Sequence, residues 1–234
     1  MDFLLTEEEK DKIKKLYQDN DMVYSEDIPE EHQKTIDRLN NTIFADFDVS
    51  KFKERNPPKN DSKETKKELE FLNTLPLNQK QVEDNDRILK AFKHLFDKRN
   101  LVFPKKLVRK LIKDSASVIM NLKYHYNRPR PYQLYGVHDL PVKTYIMSSM
   151  KTPSYPSGHS TQGILISKVL ADLYPELSNE LLKKGKEISL SRNIAKAHFP
   201  SDSKFGIDLG NEMYEFLKGS EFINKFDGIY QEKE

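Results

Sequence analysis

The chain contains no cysteine and no tryptophan. The first absence excludes disulfides, thiolate nucleophiles and cysteine-ligated zinc, and it fits a reducing compartment. An excess of one charge sign is missing too: 39 lysines and arginines stand against 37 aspartates and glutamates, a net charge of +2. No global field therefore argues for nucleic acid or for an anionic membrane surface as partner. Long hydrophobic runs are also missing, since nowhere do about eighteen apolar residues follow one another. The most apolar stretch, 163–174, is interrupted by Ser167, Lys168 and Asp172, so no integral membrane segment is expected. The first residues have no basic n-region, and their apolar patch is too short for a signal peptide, so a soluble and, as given, cytoplasmic protein is expected. Period-two alternation is scarce and no internal repeat occurs, which leaves helix as the dominant element.

The 234 residues favour one domain with an appendage. Residues 1–60 read as a charged helical N-terminal extension of thin apolar content. In it Thr6-x-x-Glu9 makes a capping box for a helix to about Tyr17, and Pro29-Glu30-Glu31 opens another. The polar, proline-interrupted run 56–62 is the linker candidate, and 61–234 form the main domain. There Ile88, Leu89, Ala91, Phe92, Leu95 and Phe96 recur at helical spacing, as do Leu107, Val108, Leu111, Ile112, Val118, Ile119 and Leu122. The second of these helices, with Pro104 just inside its start, should run to about Tyr126, where Pro129 and Pro131 forbid its continuation. An irregular passage to Pro156 follows. Helices are then expected from Gly158 to Tyr174, from Ser178 as N-cap to about Ala197, and from Asp202 to Lys218 with Ser201 as cap. The fold class is all-α, a helical bundle with its chemistry at helix ends and on connecting loops.

Three short stretches carry that chemistry: Lys123-x6-Arg130-Pro131, then Pro156-Ser157-Gly158-His159, then Ser191-Arg192-x5-His198-x3-Asp202. Ser157 and Gly158 sit where a loop becomes a helix, and a helix start offers unpaired N–H groups and a positive dipole end to an anion. Prolines at 129 and 131 stiffen the backbone around Arg130, although Arg128 competes with it and spacing does not choose between them. Lys123 ends its helix, where a basic residue also simply complements the dipole. Arg192 and His198 are nearly two turns apart and project toward one end of the bundle. Pro200 should break the helix between His198 and Asp202, giving a turn in which the carboxylate reaches one imidazole nitrogen and leaves the other as nucleophile or base. Taken singly, each piece is equally an ordinary turn, helix end or cap. His125, His138, His32 and His94 show no metal-ligand spacing, and no zinc or calcium pattern occurs. Tyr124, Tyr126, Tyr132, Tyr135 and Tyr155 crowd the motifs, as an aromatic wall for a substrate's organic part or as residues at the core's edge.

In order and spacing the three stretches match, without a substitution, the pattern of the phosphatidic-acid-phosphatase type 2 (PAP2) superfamily, which this chain resembles. Within it the chain looks like the soluble class A bacterial non-specific acid phosphatases. The likeness extends through 154–160, 179–188 and 132–136 and covers roughly residues 65–220. The resemblance selects Arg130 over Arg128. It implies a phosphomonoesterase acting on small soluble phosphate esters without metal or other cofactor, through a phosphohistidine, with a phosphotransferase side activity. His198 would be the nucleophile, oriented by Asp202, and His159 the general acid and then base. Lys123, Arg130, Ser157, Gly158 and Arg192 would hold the phosphoryl oxygens. Class A relatives are often periplasmic or secreted and begin with a signal peptide, which this sequence does not show. Rival readings are a vanadium-dependent haloperoxidase, a phosphate- or nucleotide-binding module without turnover, and an enzyme meeting lipid phosphate at an interface. The extension offers oligomer contacts, a lid, a partner site or a solvated flank, and homo-oligomerisation is left open.

Overall fold

The structure, a computed structural model, describes residues 24–25, 27–141, 144–145, 147–220 and 222. The capping box expected at Thr6 and its helix to Tyr17 lie outside these residues. In chain order the α-helices are α1 (Glu30–Asp37), α2 (Lys63–Thr74), α3 (Gln79–Asp86), α4 (Ile88–Lys98), α5 (Lys105–Tyr126), the single turn α6 (Pro131–Leu134), α7 (Gly158–Leu173), α8 (Ser178–Ile194) and α9 (Pro200–Lys218). Among the described residues there is no β-strand, so the class is all-α. No described helix is long and apolar enough to cross a membrane.

The most deeply enclosed helix is α7, which packs chiefly against α8 and α9 and, less extensively, against α5. Apolar residues surround it on every side, with Ile164, Leu165, Ile166, Val169 and Leu170 all buried, as suits a helix inside a bundle rather than on its surface. Close backbone approach makes this possible. A Cβ on Gly185 of α8 would lie 2.7 Å from the Gly163 carbonyl oxygen, and one on Gly206 of α9 would lie 2.5 Å from that of Ser157. Both are separations that a side chain cannot occupy, so α8 and α9 sit against α7 at these points only because the residue there is glycine. The Gly206 contact also seats the loop that carries Ser157.

Several helix ends differ from the sequence expectation. Pro200 does not separate His198 from the last helix but opens it at the first helical position, with Phe199 as N-cap and Asp202 as the third helical residue. The ring's fixed φ suits that position and its missing N–H has no intrahelical partner to lose there. Ser201 is accordingly inside the helix and caps nothing. Leu177, not Ser178, is the N-cap of α8, which ends at Ile194 rather than near Ala197; Pro104 is the N-cap of α5 and not its first residue. Helices α2 and α3 have too few apolar residues for a periodic signal, although each starts at a side-chain cap: Ser62 Oγ accepts from Thr65 N at 3.2 Å and Asn78 Oδ1 from Gln81 N at 3.0 Å. The passage 127–156 contains α6 and a 3-10 turn, Ser148–Met150.

Part of the segment expected as an extension is built into the main core. Phe44, Phe47, Val49 and Phe52 are buried in the same cluster as Leu122, Phe205 and Leu209, with Phe47 stacked on Phe52 at 5.6 Å and Phe52 against Phe205 at 6.0 Å. Three of these four residues are phenylalanines, and large rings bury much area per residue. Three of the tyrosines near the motifs belong to this packing or its fringe: Tyr126 OH donates to Phe52 O, Tyr155 OH donates to Arg55 O at 2.7 Å, and Tyr124 OH pairs with His32 Nδ1 at 2.6 Å.

Candidate active site

The three motifs meet at one end of the bundle, where α5 ends and α7 and α9 begin. Asn127 takes the left-handed conformation (φ 46°) that stops α5 just past Lys123. The chain then turns through Arg128 and Arg130 into α6, where Pro131 again occupies the first helical position. Ser157 caps α7 and Gly158 is its first residue. Arg192 lies in the last turn of α8, and His198 stands in the short connection between α8 and α9.

His198 has its two ring nitrogens assigned by their partners. An arginine N–H can only donate, and Arg130 Nη1 lies 2.9 Å from His198 Nε2, so Nε2 presents its lone pair. The proton therefore resides on Nδ1, which faces Asp202 Oδ2 at 3.4 Å. Burial, then the Arg130 charge, holds the imidazole well below its ordinary value and keeps it neutral. Asp202 is fully buried, which by itself would raise its pKa, but the Arg128 charge and hydrogen bonds from His198 and Ser154 more than offset this and leave it below the usual carboxylate range. Its Oδ2 also accepts from Phe199 N at 2.9 Å, so one carboxylate caps α9 and backs the imidazole.

Arg130 and Arg128 face different partners. Arg130, 1% exposed, donates from Nε to Thr152 O and from Nη1 to Ala197 O, both at 2.8 Å, while its Nη2 bonds to Ser149 O and Thr152 Oγ1 are long, at 3.3 Å. Arg128 Nη1 instead donates to Asp202 Oδ1 at 2.6 Å, on the far side of the carboxylate from His198. The two arginines that spacing did not distinguish thus differ in their partners, Arg130 meeting the His198 ring and Arg128 the Asp202 carboxylate.

Arg192, fully buried, donates from Nη1 to Asp86 Oδ1 at 2.8 Å and from Nη2 to Ser149 Oγ at 2.9 Å; its Nε has no hydrogen-bond partner among the described residues. Lys123 is 3% exposed and donates from Nζ to Pro153 O. Burial, then the neighbouring Arg130 and Arg192 charges, pushes this ammonium well below its ordinary value. Arg130 is lowered to about 10 by burial and the Arg192 charge. Three cations thus crowd a dry site and disfavour one another, a balance that an anion bound among them reverses.

Ser157 Oγ accepts from Ser160 N at 3.3 Å and from Ser160 Oγ at 2.9 Å, and Ser189 Oγ lies 2.8 Å from Ser160 Oγ. With its lone pairs used in the cap, Ser157 has its hydroxyl proton left to offer an anion. Gly158 is not demanded by the protein's own packing, since a Cβ there would meet Ile119 Cγ2 at 3.4 Å and Lys123 Cε at 3.9 Å. Gly158 and His159 are in the first turn of α7, where N–H groups have no intrahelical acceptor.

His159 Nε2 lies 2.8 Å from the Asp86 carbonyl oxygen, so in the neutral ring Nε2 carries the proton. Burial first, then the Arg192 charge, lowers this imidazole to about 3. Asp86 is the residue that the motifs did not mark. At the end of α3 it touches Arg192 through its carboxylate and His159 through its carbonyl, and Ser149 Oγ reaches Oδ1 at 3.2 Å. Nothing in the local sequence flags it, because α3 carries little apolar signal and lies far in sequence from its partners. Among the described residues, no group of three or more histidines, aspartates or glutamates could hold a metal ion. His125 Nε2 pairs with Lys53 O at 3.1 Å and His138 Nε2 with Asn60 O at 2.7 Å, both outside this cluster.

Part of the chain is similar to known acid phosphatases. The chain is 37% identical over 98 residues to a non-specific acid phosphatase of Providencia stuartii, covering 42% of this chain and 39% of the relative. It is 38% identical over 88 residues to that of Salmonella typhimurium, covering 38% and 35%. A Zymomonas mobilis acid phosphatase is 31% identical over 115 residues, covering 48% and 42%. The chain spans less than half the length of each of these relatives. Residues 111–213, which hold every motif residue named above, match the PAP2 superfamily.

Proposed function

We propose that this protein is a phosphomonoester hydrolase that works through a phosphohistidine on small soluble phosphate esters. The observation that carries the reading is the assigned tautomer of His198: a buried, neutral imidazole with its Nε2 lone pair against the Arg130 guanidinium and its Nδ1–H toward Asp202. A site that only bound phosphate would need the cations and no such imidazole.

The phosphoryl group sits among Lys123, Arg130 and Arg192, with Ser157 and the Gly158 N–H supplying further donors. Arg130 gives up its long Nη2 contacts and its bond to Nε2 in favour of phosphoryl oxygens, which uncovers the nucleophile. Nε2 then attacks phosphorus in line as the ester oxygen leaves, taking a proton from His159. Water, losing a proton to the now neutral His159, attacks phosphorus next and breaks the P–N bond, and inorganic phosphate departs. The same cations stabilise charge on the equatorial oxygens in both steps.

His159 is neutral in the ligand-free pocket across the ordinary pH range, so the proton that it delivers must enter with substrate. A monoester whose second ionisation lies near 6 brings it as the monoanion. Inside the pocket the proton moves to His159, whose charge the phosphoryl dianion now favours, and an acidic optimum is therefore expected. The reaction needs no metal in this scheme, because the three cations and a helix start do the electrostatic work.

The test is p-nitrophenyl phosphate turnover by wild type and His198→Ala, with quenching in alkaline denaturant during turnover to trap acid-labile phosphate on the protein. Wild type should turn over and yield base-stable, acid-labile phosphate on His198, and the variant should do neither. Phosphate release unchanged in His198→Ala overturns the mechanism, and binding without hydrolysis in wild type reduces the protein to a phosphate-binding module.

A further inference from the structure

Arg128 stands outside the phosphate clamp, yet it is as deeply buried as the residues of the clamp, at 2% exposure. Its guanidinium is held on several sides. Nη1 donates to Asp202 Oδ1 at 2.6 Å and to Ser201 Oγ at 2.8 Å, and Nη2 to Glu68 Oε2 at 3.2 Å. Its Cζ lies 3.9 Å from the centroid of the Phe199 ring, so cation and aromatic face are in contact. Glu68, on α2, also accepts from Ser201 N at 2.6 Å and from Ser201 Oγ at 2.9 Å, which ties α2 to the start of α9.

We propose that Arg128 is a positioning residue for the reaction: it holds Asp202 ionised and in place behind His198, and so keeps Nε2 unprotonated and nucleophilic. The inference rests on the phosphohistidine reading. Its ground is the donor set around Asp202. Ser154 Oγ and Phe199 N are neutral donors, and His198 Nδ1–H belongs to a neutral ring. Among the described residues, Arg128 alone places a full positive charge in direct contact with the carboxylate, in a surrounding where burial works against any isolated anion.

The consequence of removing that charge is a matter of counting protons. The Asp202–His198 pair now holds one proton, on Nδ1. Without Arg128 the buried carboxylate favours a second, and the pair has two ways to hold it. If both reside on the ring, Nε2 is protonated in an imidazolium. If one resides on Asp202, its O–H donates to Nδ1 and the ring's own proton moves to Nε2. Either arrangement occupies the nucleophilic lone pair, and the pair titrates as a unit. The other charged and titratable groups facing the pair keep their places. Lys123, Arg130 and Arg192 lie on the clamp side and still oppose an added proton, the Tyr155 phenol is neutral, and Glu68, freed of its partner, favours the proton.

The test compares full-length wild type with Arg128→Gln, which removes the charge and keeps a hydrogen-bonding head, and with Arg128→Lys, which keeps the charge and loses the fork. Three readouts are taken: the 15N shifts of the His198 ring, assigned by difference from His198→Ala; the pH profile of kcat/KM; and thermal melting. Near neutral pH, Nε2 should be of the unprotonated type in wild type and of the protonated type in Arg128→Gln, whose acidic limb should move up by at least about one pH unit. Arg128→Lys should restore the unprotonated Nε2 and bring the limb back to within about half a unit of wild type.

A folded Arg128→Gln with unaltered Nε2 and an unmoved limb overturns the proposal. Should the Gln variant fail to fold, Arg128→Lys decides, and a protonated Nε2 there also overturns it. The ring shifts do not depend on turnover, so a wild type that hydrolyses nothing would count against the phosphatase reading while the shifts still report on Arg128.

Discussion

Acid should weaken this fold through His159, and the effect can be isolated. The side chain is 17% exposed at the head of α7, and burial with the Arg192 charge lowers its pKa from 6.5 to about 3. Unfolding returns the ring to water and to its ordinary value near 6.5. Between about pH 6.5 and 3 the unfolded chain therefore binds a proton that the native chain refuses, and stability falls as pH drops through that window. From about pH 6.5 to about pH 4.5, proton binding favours the unfolded imidazole by a factor of about 50, or about 2 kcal/mol from this residue. His198, also held below its ordinary value, acts in the same direction, and the carboxylates contribute mainly below about pH 4.5. The difference between wild type and His159→Ala cancels these shared terms. Urea unfolding of both proteins across this pH range is the assay, and the stability difference, wild type minus variant, should shrink by about 2 kcal/mol on acidification. Sulfate, a tetrahedral dianion throughout this range, should reduce the change by favouring the native imidazolium. Parallel stability curves would refute the reasoning: His159 would then titrate as an ordinary surface histidine, and delivery of its proton by substrate would be unnecessary.

Other consequences are equally open to measurement. Asp202→Asn keeps the shape of the capping side chain but removes the charge that favours Nδ1–H on His198, and kcat should fall by about a thousandfold or more with the circular dichroism spectrum unchanged. If substrate carries in the proton, the basic limb of kcat/KM should follow the second ionisation of the ester, so esters differing in that pKa should displace the limb by the same interval. Asp86→Asn removes the carboxylate partner of Arg192 and one group that favours a protonated His159, so inorganic phosphate should bind about tenfold tighter while kcat falls, read by calorimetry and steady-state kinetics. Gly206→Ala forces a methyl to within 2.5 Å of the Ser157 carbonyl, and should cost about 1–3 kcal/mol by urea unfolding and lower kcat by displacing the α7 start.

The helices that build the bundle were legible because they carry their own signal. The apolar spacing in 88–96 and 107–122, the proline after Tyr174 and the prolines beyond Tyr126 are local facts about a chain, and burial of one face needs no knowledge of the partner. The start of α9 was misread for the same reason: Pro200 looks like a breaker when only its effect on Phe199 is considered, whereas it is preorganised for the first helical turn. Helices α2 and α3, with few apolar residues, gave no periodic signal, and the burial of Phe44 and Phe52 depends on rings from distant segments. At the site, sequence alone determined which residue types recur in which order, and that order picked out the cations and imidazoles that the fold brings together. Only tertiary structure decided which partner each meets. It turned Arg130 toward His198 Nε2 and Arg128 toward Asp202, and brought Asp86 from α3 to Arg192 and His159. The physical reason is that charge, tautomer and pKa belong to arrangements of groups in space. Two arginines two positions apart are alike in a chain, and become different only when each meets its partner in a dry interior.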